Sequence, residues 1–354
     1  MPGLITHYLG GQAALAAVSQ EIRDYILPVE RLFNIGTQGP DIFFYYIPGF
    51  FTKRIRGIGS TMHNENLGLF FLYLAEILIA SNGDTGMSAA SADALEDTIP
   101  SKETAQNNFN DFSRQALFAI MTGYLVHYAM DVHTHSYVYA KTHDPNISTL
   151  QESAAHRHFE TSVDVLMYKR AGHRPNDVTL RELIRPDKLH IAEVSKVLSA
   201  AIRKIYDVEI TKKDVHKAMN HMANLTMALQ SKNGRRKRWL ENAERMTIGP
   251  RIVSALIHMQ EVTDGYDYLN LENTPWSAPW ESQEIRTESF ITLYDAAVSD
   301  AIEMIEALYA YMYNHIQRCH LEKKIMNRSL KTGKNNGDSC FNTLDLKPQQ
   351  EKTS

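Results

Sequence analysis

Residues that could bind metal ions recur at a fixed spacing in two parts of the chain. The first part contains His127, Asp131 and His135, and the second contains His156 and Glu160. On an α-helix, residues four positions apart lie on one face about one turn apart, so each set would direct its side chains to one region of space. Imidazole and carboxylate groups suit Zn²⁺ or a similar transition ion. The spacing therefore predicts a metal site and, where two such helices meet, a cluster of ions able to cleave phosphate esters.

Two neighbouring histidines are not part of this prediction. A single histidine on a helix is more often a surface residue or a hydrogen-bonded core residue than a metal ligand. His133 would point away from the face that carries His127, and His158 away from the face that carries His156. We therefore expect these two side chains to be bystanders, or groups that orient the ligands.

Further candidate ligands lie upstream, and each has an ordinary explanation of its own. His7 opens the first helix, His63 lies just before an apolar helix, and Asp41 lies in a Gly-Pro-Asp turn. Such turns are common between structural elements in all kinds of protein, and a solvent-facing side chain is the default for His63. These residues would join a metal site only if the fold brought them to the helix that carries His127.

The composition limits the class of protein. The chain has 354 residues, of which 44% are hydrophobic, and this is enough for one large or two fused helical units. The formal net charge of −4 argues against broad nucleic-acid affinity, because there is no net positive field to attract phosphates. The basic run at 235–238 is typical of a solvated helix start, with contact to an anionic surface as the alternative.

Cysteine content and apolar segments indicate the compartment. Cys319 and Cys340 are the only cysteines and give no disulfide framework, which fits a reducing environment. The first residues lack the pattern of a signal peptide. The longest apolar stretch, 67–80, contains Glu76 and is too short to cross a bilayer. The sequence therefore predicts a cytoplasmic protein.

The hydrophobic periodicity predicts an all-α fold. We expect a metal-binding helical domain over residues 1–180, a C-terminal helical region over 181–322 packed on it, and a disordered tail over 323–354. A polar loop is expected over 81–100. The predicted helices cover 9–26, 64–80, 110–135, 151–170, 188–205, 212–230, 234–262 with a break at Pro250, and 289–320.

The ordered set of motifs resembles the zinc-dependent phospholipase C family, in particular its cytosolic bacterial branch. Any one motif is unspecific, whereas their order along about residues 3–170 is more specific. Weaker similarity continues as far as Phe290. The motifs are Thr6-His7-Tyr8, Gly39-Pro40-Asp41-Ile42, Met62-His63, the stretch from Gly123 to His135, and His156 to Glu160 followed by Asp164.

The resemblance implies an all-α bundle of the phospholipase C and zinc nuclease type with additional C-terminal helices, and a centre of two to three zinc ions. It also implies that Asp41 orients or deprotonates the attacking water. Carried over residue by residue, it assigns Asp41, His63, His127 and Asp131 to the first ion, His135, His156 and Glu160 to the second, and His7 and Asp131 to the third.

The chain departs from the family pattern at two points. The secreted members have five residues between the aspartate that corresponds to Asp131 and the next histidine, whereas in this chain three residues separate Asp131 from His135. The secreted members also use an N-terminal tryptophan as a ligand, and this chain has none there. A free amine on Pro2, exposed when the initial methionine is removed, is our hypothesis for the replacement. Without it the third site would be weak or empty.

These observations predict a zinc-dependent hydrolase of phosphoric esters, most simply one that cleaves a phospholipid or a related phosphodiester. Peripheral membrane contact and the oligomeric state are open, and no stable nucleic-acid partner is expected. A nuclease or nucleotidase of the same zinc fold is a rival hypothesis, with the aromatic run at 43–46 stacking on a base.

An HD-type phosphohydrolase is a second rival hypothesis, and it would use His143 and Asp144. Pro145 follows them and disfavours a continuing helix there. A third hypothesis is a non-catalytic binding protein that uses the metal ions only to stabilise its fold. Closed metal sites without a position for water would favour this third hypothesis.

Overall fold

A computed structural model describes residues 3–46, 52–80, 111–173, 180–185, 188–229, 235–247, 261–262 and 264–335. This part of the chain is all-α, as the sequence predicts: it contains no strand, only the isolated bridges Trp276–Arg286 and Arg328–Asn335. Short 3₁₀ helices cover Leu27–Val29 and Gly39–Phe43. The α-helices are α1 Leu4–Ala17, α2 Gln20–Ile26, α3 Glu30–Gly36, α4 Thr52–Asn64, α5 Leu67–Ala80, α6 Asp111–Thr142, α7 Thr149–Arg170, α8 Leu180–Ile184, α9 Lys188–Tyr206, α10 Lys212–Leu229, α11 Arg235–Thr247, α12 Phe290–Met312 and α13 Arg318–Ile325.

Helix α6 is the centre of the fold. Every residue from 116 to 138 is buried except His133, which is partly exposed. A helix that is covered on all sides needs apolar residues around its whole circumference, and Tyr128 and Tyr137 are among its fully buried side chains. Helices α3 and α12 pack along it, and α1, α5, α7 and α9 contact it as well. Polar side chains on α6 therefore project into the interior of the protein.

Two glycines allow α3 and α6 to cross at very close range. A Cβ atom at Gly36 would collide with the carbonyl oxygen of Ile120, and one at Gly123 would collide with the carbonyl oxygen of Phe33. Since both obstacles are backbone atoms, no side chain could move aside to make room. The crossing brings the 3₁₀ helix Gly39–Phe43, which follows α3, against the middle of α6.

Helix α5 corresponds to the longest apolar stretch of the sequence. Phe70, Phe71 and Leu74 are buried in the core, while Glu76 on its more exposed side forms an ion pair with Arg318 at 2.7 Å. Among the helices that the structure describes, none combines the length and the apolar character needed to cross a membrane.

Two predicted helices are interrupted in the structure. The helix expected over 9–26 is divided into α1 and α2, because Val18 and Ser19 have extended backbone. The helix expected over 289–320 is divided into α12 and α13, and Asn314 between them has φ 59°. The apolar pattern continues through both breaks because the residues on either side pack on the same core, so periodicity alone does not reveal them.

The C-terminal part of the chain is folded further than the sequence predicts. Residues up to 335 are described, and Ile325 and Leu330 are fully buried. The expectation of a disordered tail from Lys323 is therefore wrong for 323–335, where apolar side chains reach the core. The domain division near residue 180 stays a prediction. Pro2, the loop at 81–100, residues 248–260 of a predicted helix, and 336–354 lie outside the described residues.

Candidate metal centre

The fold brings all of the predicted ligands together beside the middle of α6. His7, Asp41, His63, His127 and Asp131 form what we call the central group, and His135, His156 and Glu160 form the outer group. Within the outer group the ligand atoms lie within 4.8 Å of one another. The same limit holds in the central group for two overlapping sets, which are His7, Asp41 and His127, and His63, His127 and Asp131.

Asp131 lies between three imidazoles in the central group. Its Oδ1 atom is 3.3 Å from Nε2 of His7. Its Oδ2 atom is 3.3 Å from Nε2 of His127 and 3.7 Å from Nε2 of His63. Asp41 approaches the same place, with Oδ1 3.2 Å from Nε2 of His63. The five side chains come from four separate segments of the chain, so only the folded protein assembles them.

Several atoms of the central group are buried without a hydrogen-bond partner. They are both ring nitrogens of His7, Oδ1 of Asp41, Nε2 of His127 and both carboxylate oxygens of Asp131. Each buried polar atom without a partner destabilises a fold by about 1–3 kcal/mol, and such atoms are few in native proteins. One donor atom from each of these side chains lies near those of the others, which fits a bound cation, and nitrogen and carboxylate oxygen are the donors that zinc uses.

Burial keeps the imidazoles in the form that binds metal. Burial, reinforced by the neighbouring His127, lowers the pKa of His7 to about 4. Burial also lowers the pKa of His63 to about 4 and that of His135 well below its usual range. These rings are therefore neutral at neutral pH, and a neutral imidazole is the species that coordinates a cation.

The pKa values of the two aspartates of the central group shift in opposite directions. Burial alone would raise the pKa of Asp131, but the imidazoles of His127 and His135 outweigh it and hold this pKa well below its usual range. Burial raises the pKa of Asp41 well above its usual range although His127 opposes it, and the nearby charge of Asp131 adds to the rise. The site thus combines a charged carboxylate with one that can hold a proton.

Backbone carbonyls fix the orientation of three imidazoles. In each, the Nδ1–H group donates to a carbonyl oxygen, which leaves Nε2 as the lone-pair atom. Such a bond sets both the tautomer and the ring direction of a metal-binding histidine. The pairs are His63 with Gly59 at 2.6 Å, His127 with Thr37 at 3.2 Å, and His135 with Leu330 at 2.7 Å.

The outer group lies nearer to the surface. Nε2 of His156 is 2.8 Å from Oε1 of Glu160, and these side chains are 16% and 11% exposed, whereas His7 and Asp131 are at 0%. Nδ1 of His156 is 3.1 Å from the hydroxyl of Thr142. The group is built by α6 and α7, which pack against each other, and its two members on α7 are the most exposed of the candidate ligands.

Two residues that place the ligands had no assigned role in the sequence. Asp164 is fully buried and accepts hydrogen bonds from the N–H of Ile5 at 2.9 Å, and from the N–H and hydroxyl of Thr6 at 2.8 and 2.6 Å. It thereby anchors the start of α1, which carries His7. Gly39 has φ +47°, and a Cβ atom there would collide with the ring of His127. In the sequence, Asp164 is part of the motif shared with the family, one helical turn after Glu160, but nothing there indicates that it anchors α1.

The remaining histidines singled out in the sequence point elsewhere. Nε2 of His133 contacts Asp300 at 3.0 Å, and Nε2 of His158 lies 3.4 Å from the hydroxyl of Tyr268. His143 pairs with Glu152 at 2.6 Å after α6 has ended. None of the three belongs to a metal-ligand group found among the described residues. The HD-type hypothesis therefore has no assembled site in this part of the chain.

The three-residue spacing between Asp131 and His135 keeps both side chains on one helix face. His135 contacts Asp131 at 3.9 Å and also lies against His156, with ring centroids 5.5 Å apart. It therefore links the outer group, of which it is a member, to Asp131 of the central group.

Comparison with known proteins identifies a family. A family model described as zinc-dependent phospholipase C matches residues 6–229. That range covers more than half of the chain and includes every residue of the central and outer groups. No curated protein and no solved structure gives a significant match. The chain belongs to the zinc-dependent phospholipase C family.

Proposed function

We propose that this protein is a zinc-dependent hydrolase that cleaves a phospholipid or a related phosphodiester in the manner of a phospholipase C. The observation that supports the proposal is the convergence of buried imidazole and carboxylate atoms without hydrogen-bond partners, in a chain of a zinc-dependent phospholipase family. Zinc ions at such a centre offset the charge of the phosphodiester and activate water at neutral pH.

In this proposal the central group holds one or two ions and the outer group holds another. The two oxygens of Asp131 face different imidazoles: Oδ1 faces His7, while Oδ2 faces His127 and His63. Asp131 would therefore help to hold the ions on both sides, together with His7 on one side and with His127 and His63 on the other. His135, His156 and Glu160 supply the ligands of the outer group.

Asp41 is the residue that we assign to proton transfer. Its Oδ1 atom is buried without a hydrogen-bond partner and lies 3.2 Å from His63. Burial raises its pKa, and a carboxyl group with a raised pKa accepts a proton more readily near neutral pH. In the reaction, the oxygen of water would form a bond to phosphorus while Asp41 takes the proton of that water. The bond from phosphorus to the leaving oxygen would break, and that oxygen would take up a proton from solvent to give the alcohol.

The outer group marks the side from which a substrate would reach the centre, because it is partly exposed. Aromatic rings line this side. The ring of Tyr139 lies 4.8 Å from that of His156 and 5.6 Å from that of Trp280, measured between centroids. Aromatic rings give a leaving group an apolar surface to rest on, and they attract cationic head groups.

Half of the aromatic run at 43–46 is placed where the nuclease hypothesis needs it. Phe43 and Tyr46 are buried in the core, so they cannot stack on a base. Phe44 and Tyr45 are half-buried, and the ring of Phe44 lies 5.3 Å from that of His63. Burial raises the pKa of Tyr45, and the charges of Asp41 and Glu160 add to the rise, so two rings of the run lie beside the centre. The aromatic run therefore does not decide between the two substrate classes, and the family supports a phosphodiester of lipid type.

The test is hydrolysis of phosphatidylcholine vesicles, bis-p-nitrophenyl phosphate and nucleotides by the purified protein, with and without a chelator. We expect chelator-sensitive cleavage of the lipid and of the synthetic diester. Asp41→Asn should abolish this activity while part of the zinc is retained, and His158→Ala serves as the matched control because His158 lies on α7 outside the outer group.

Each remaining outcome of this test points to a different function. Cleavage of nucleotides alone would replace the lipid substrate with that of a nuclease or nucleotidase. A protein that binds metal but cleaves none of the substrates would support a non-catalytic binding protein. Wild-type turnover by Asp41→Asn would remove Asp41 from proton transfer and leave it as a turn residue.

A further inference from the structure

A segment near the C-terminal end of the described chain lies directly on two of the proposed metal ligands. We call residues 326–335 the strap; it follows α13 and comes after the range that the family model matches. Leu330 in the strap is fully buried. Its carbonyl accepts from Nδ1 of His135 at 2.7 Å, and its N–H donates to the carbonyl of His63 at 3.0 Å. One strap residue thus joins a central-group ligand to an outer-group ligand.

Before Leu330, the strap is fixed by a network that includes α6 and α12. The N–H of Arg328 donates to the hydroxyl of Tyr128 at 2.8 Å. The guanidinium of Arg328 lies 2.8 Å from the carboxylate of Asp300, which also contacts His133 at 3.0 Å. The side chains of Arg328 and Asp300 are 11% and 22% exposed, and ion pairs that are shielded in this way are screened less than surface pairs.

After Leu330, the strap approaches the backbone of α6. Gly333 has φ +72°, and a Cβ atom there would lie 2.6 Å from the carbonyl oxygen of Val132. Both the left-handed backbone and the close approach require glycine. The N–H of Ser329 donates to the carbonyl of Lys334 at 2.7 Å, which closes the turn. The strap is therefore held on both sides of the residue that contacts the ligands.

We propose that the strap positions the metal ligands, with the backbone of Leu330 fixing the ring of His135 and the end of α4 at His63. This inference rests on the proposed function. A carbonyl that accepts from the second ring nitrogen of a metal-binding histidine fixes its orientation, and loss of such a partner typically weakens metal affinity about 10–100-fold. Leu330 acts through its backbone, so a change of its side chain would leave both hydrogen bonds possible. Only displacement of the whole strap would remove them.

The experiment displaces the strap in the full chain and measures metal binding. Gly333→Ala introduces a Cβ atom that cannot be accommodated, and Arg328→Gln is a milder second variant that removes the ion pair to Asp300. The control is Leu321→Ala, because Leu321 is fully buried in α13 and lies outside the strap. The readouts are zinc affinity against a competing chelator, and the absorption spectrum of the Co²⁺-loaded protein, which reports the arrangement of the ligands.

We expect both strap variants to bind one ion at least about tenfold more weakly and to show a changed Co²⁺ spectrum. Leu321→Ala should melt at a lower temperature but keep the wild-type affinity and spectrum. Wild-type affinity and spectrum in both strap variants would overturn the inference, and so would an equal loss in Leu321→Ala, which would show general destabilisation. A wild-type chain that binds no metal would overturn the proposed function itself, and that result needs no variant.

Discussion

The central and the outer group contain the same kinds of side chain but differ in their surroundings. His7 and Asp131 in the central group are at 0% exposure, whereas His156 and Glu160 in the outer group are 16% and 11% exposed. The carboxylate of the outer group is already paired with an imidazole at 2.8 Å, while both oxygens of Asp131 have no hydrogen-bond partner. The buried group therefore depends more on a bound cation, and the outer group is better placed to meet a substrate.

The largest effect should follow from neutralising Asp131. Asp131→Asn removes the negative charge that lies between His7 on one side and His127 and His63 on the other. We therefore expect the variant to retain about one ion or none. His135→Ala removes a ligand of the outer group only and should retain more metal than Asp131→Asn. Zinc per chain, measured by mass spectrometry under native conditions, compares the two variants directly.

The controls for this comparison lie on the two helices that carry the outer group, α6 and α7. His133→Ala on α6 and His158→Ala on α7 should keep the ions of the central group, because neither ring points toward it. His133→Ala also leaves the ion pair between Arg328 and Asp300, which fixes the strap, in place. If His133→Ala lost more metal than Asp131→Asn, the assignment of the helix face would be incorrect.

The contrast between the groups also explains how much the sequence could reveal. His127, Asp131 and His135 share one helix, as do His156 and Glu160, so their spacing alone predicts that each set shares a face. The periodicity of α6 and α7 likewise predicts their approximate positions. The sequence alone therefore predicts nearly all of the outer group.

The central group needs information that local patterns do not contain. His7, Asp41 and His63 reach Asp131 only because α3 crosses α6 at Gly36 and Gly123 and because Asp164 anchors α1. Such contacts join residues far apart in the chain, so only the resemblance to a family suggested them. The strap could not be foreseen for a related reason: its polar sequence is typical of a tail, while its role depends on the buried Leu330.

A smaller effect should come from removing metal without mutation. Because four segments meet in the central group, chelation should lower the melting temperature. A ligand at a hundred times its Kd stabilises a fold by about 2.7 kcal/mol, which corresponds to about 4 °C for a chain of this size. Differential scanning calorimetry with a chelator, and again after zinc is restored, measures the shift.

The same measurement on two variants sharpens the comparison between the groups. The shift should persist in Glu160→Gln, which leaves the central group intact, and it should disappear in Asp131→Asn. An unchanged melting temperature in wild-type protein from which metal has been shown to be removed would mean that the centre does not hold the fold together.

The central claim is that these imidazoles and carboxylates form a metal centre, and the metal content of freshly purified protein tests it most directly. Elemental analysis combined with mass spectrometry under native conditions should give about two to three zinc-class ions per chain. A chain that is fully folded and carries no metal, even after incubation with zinc, would contradict the account.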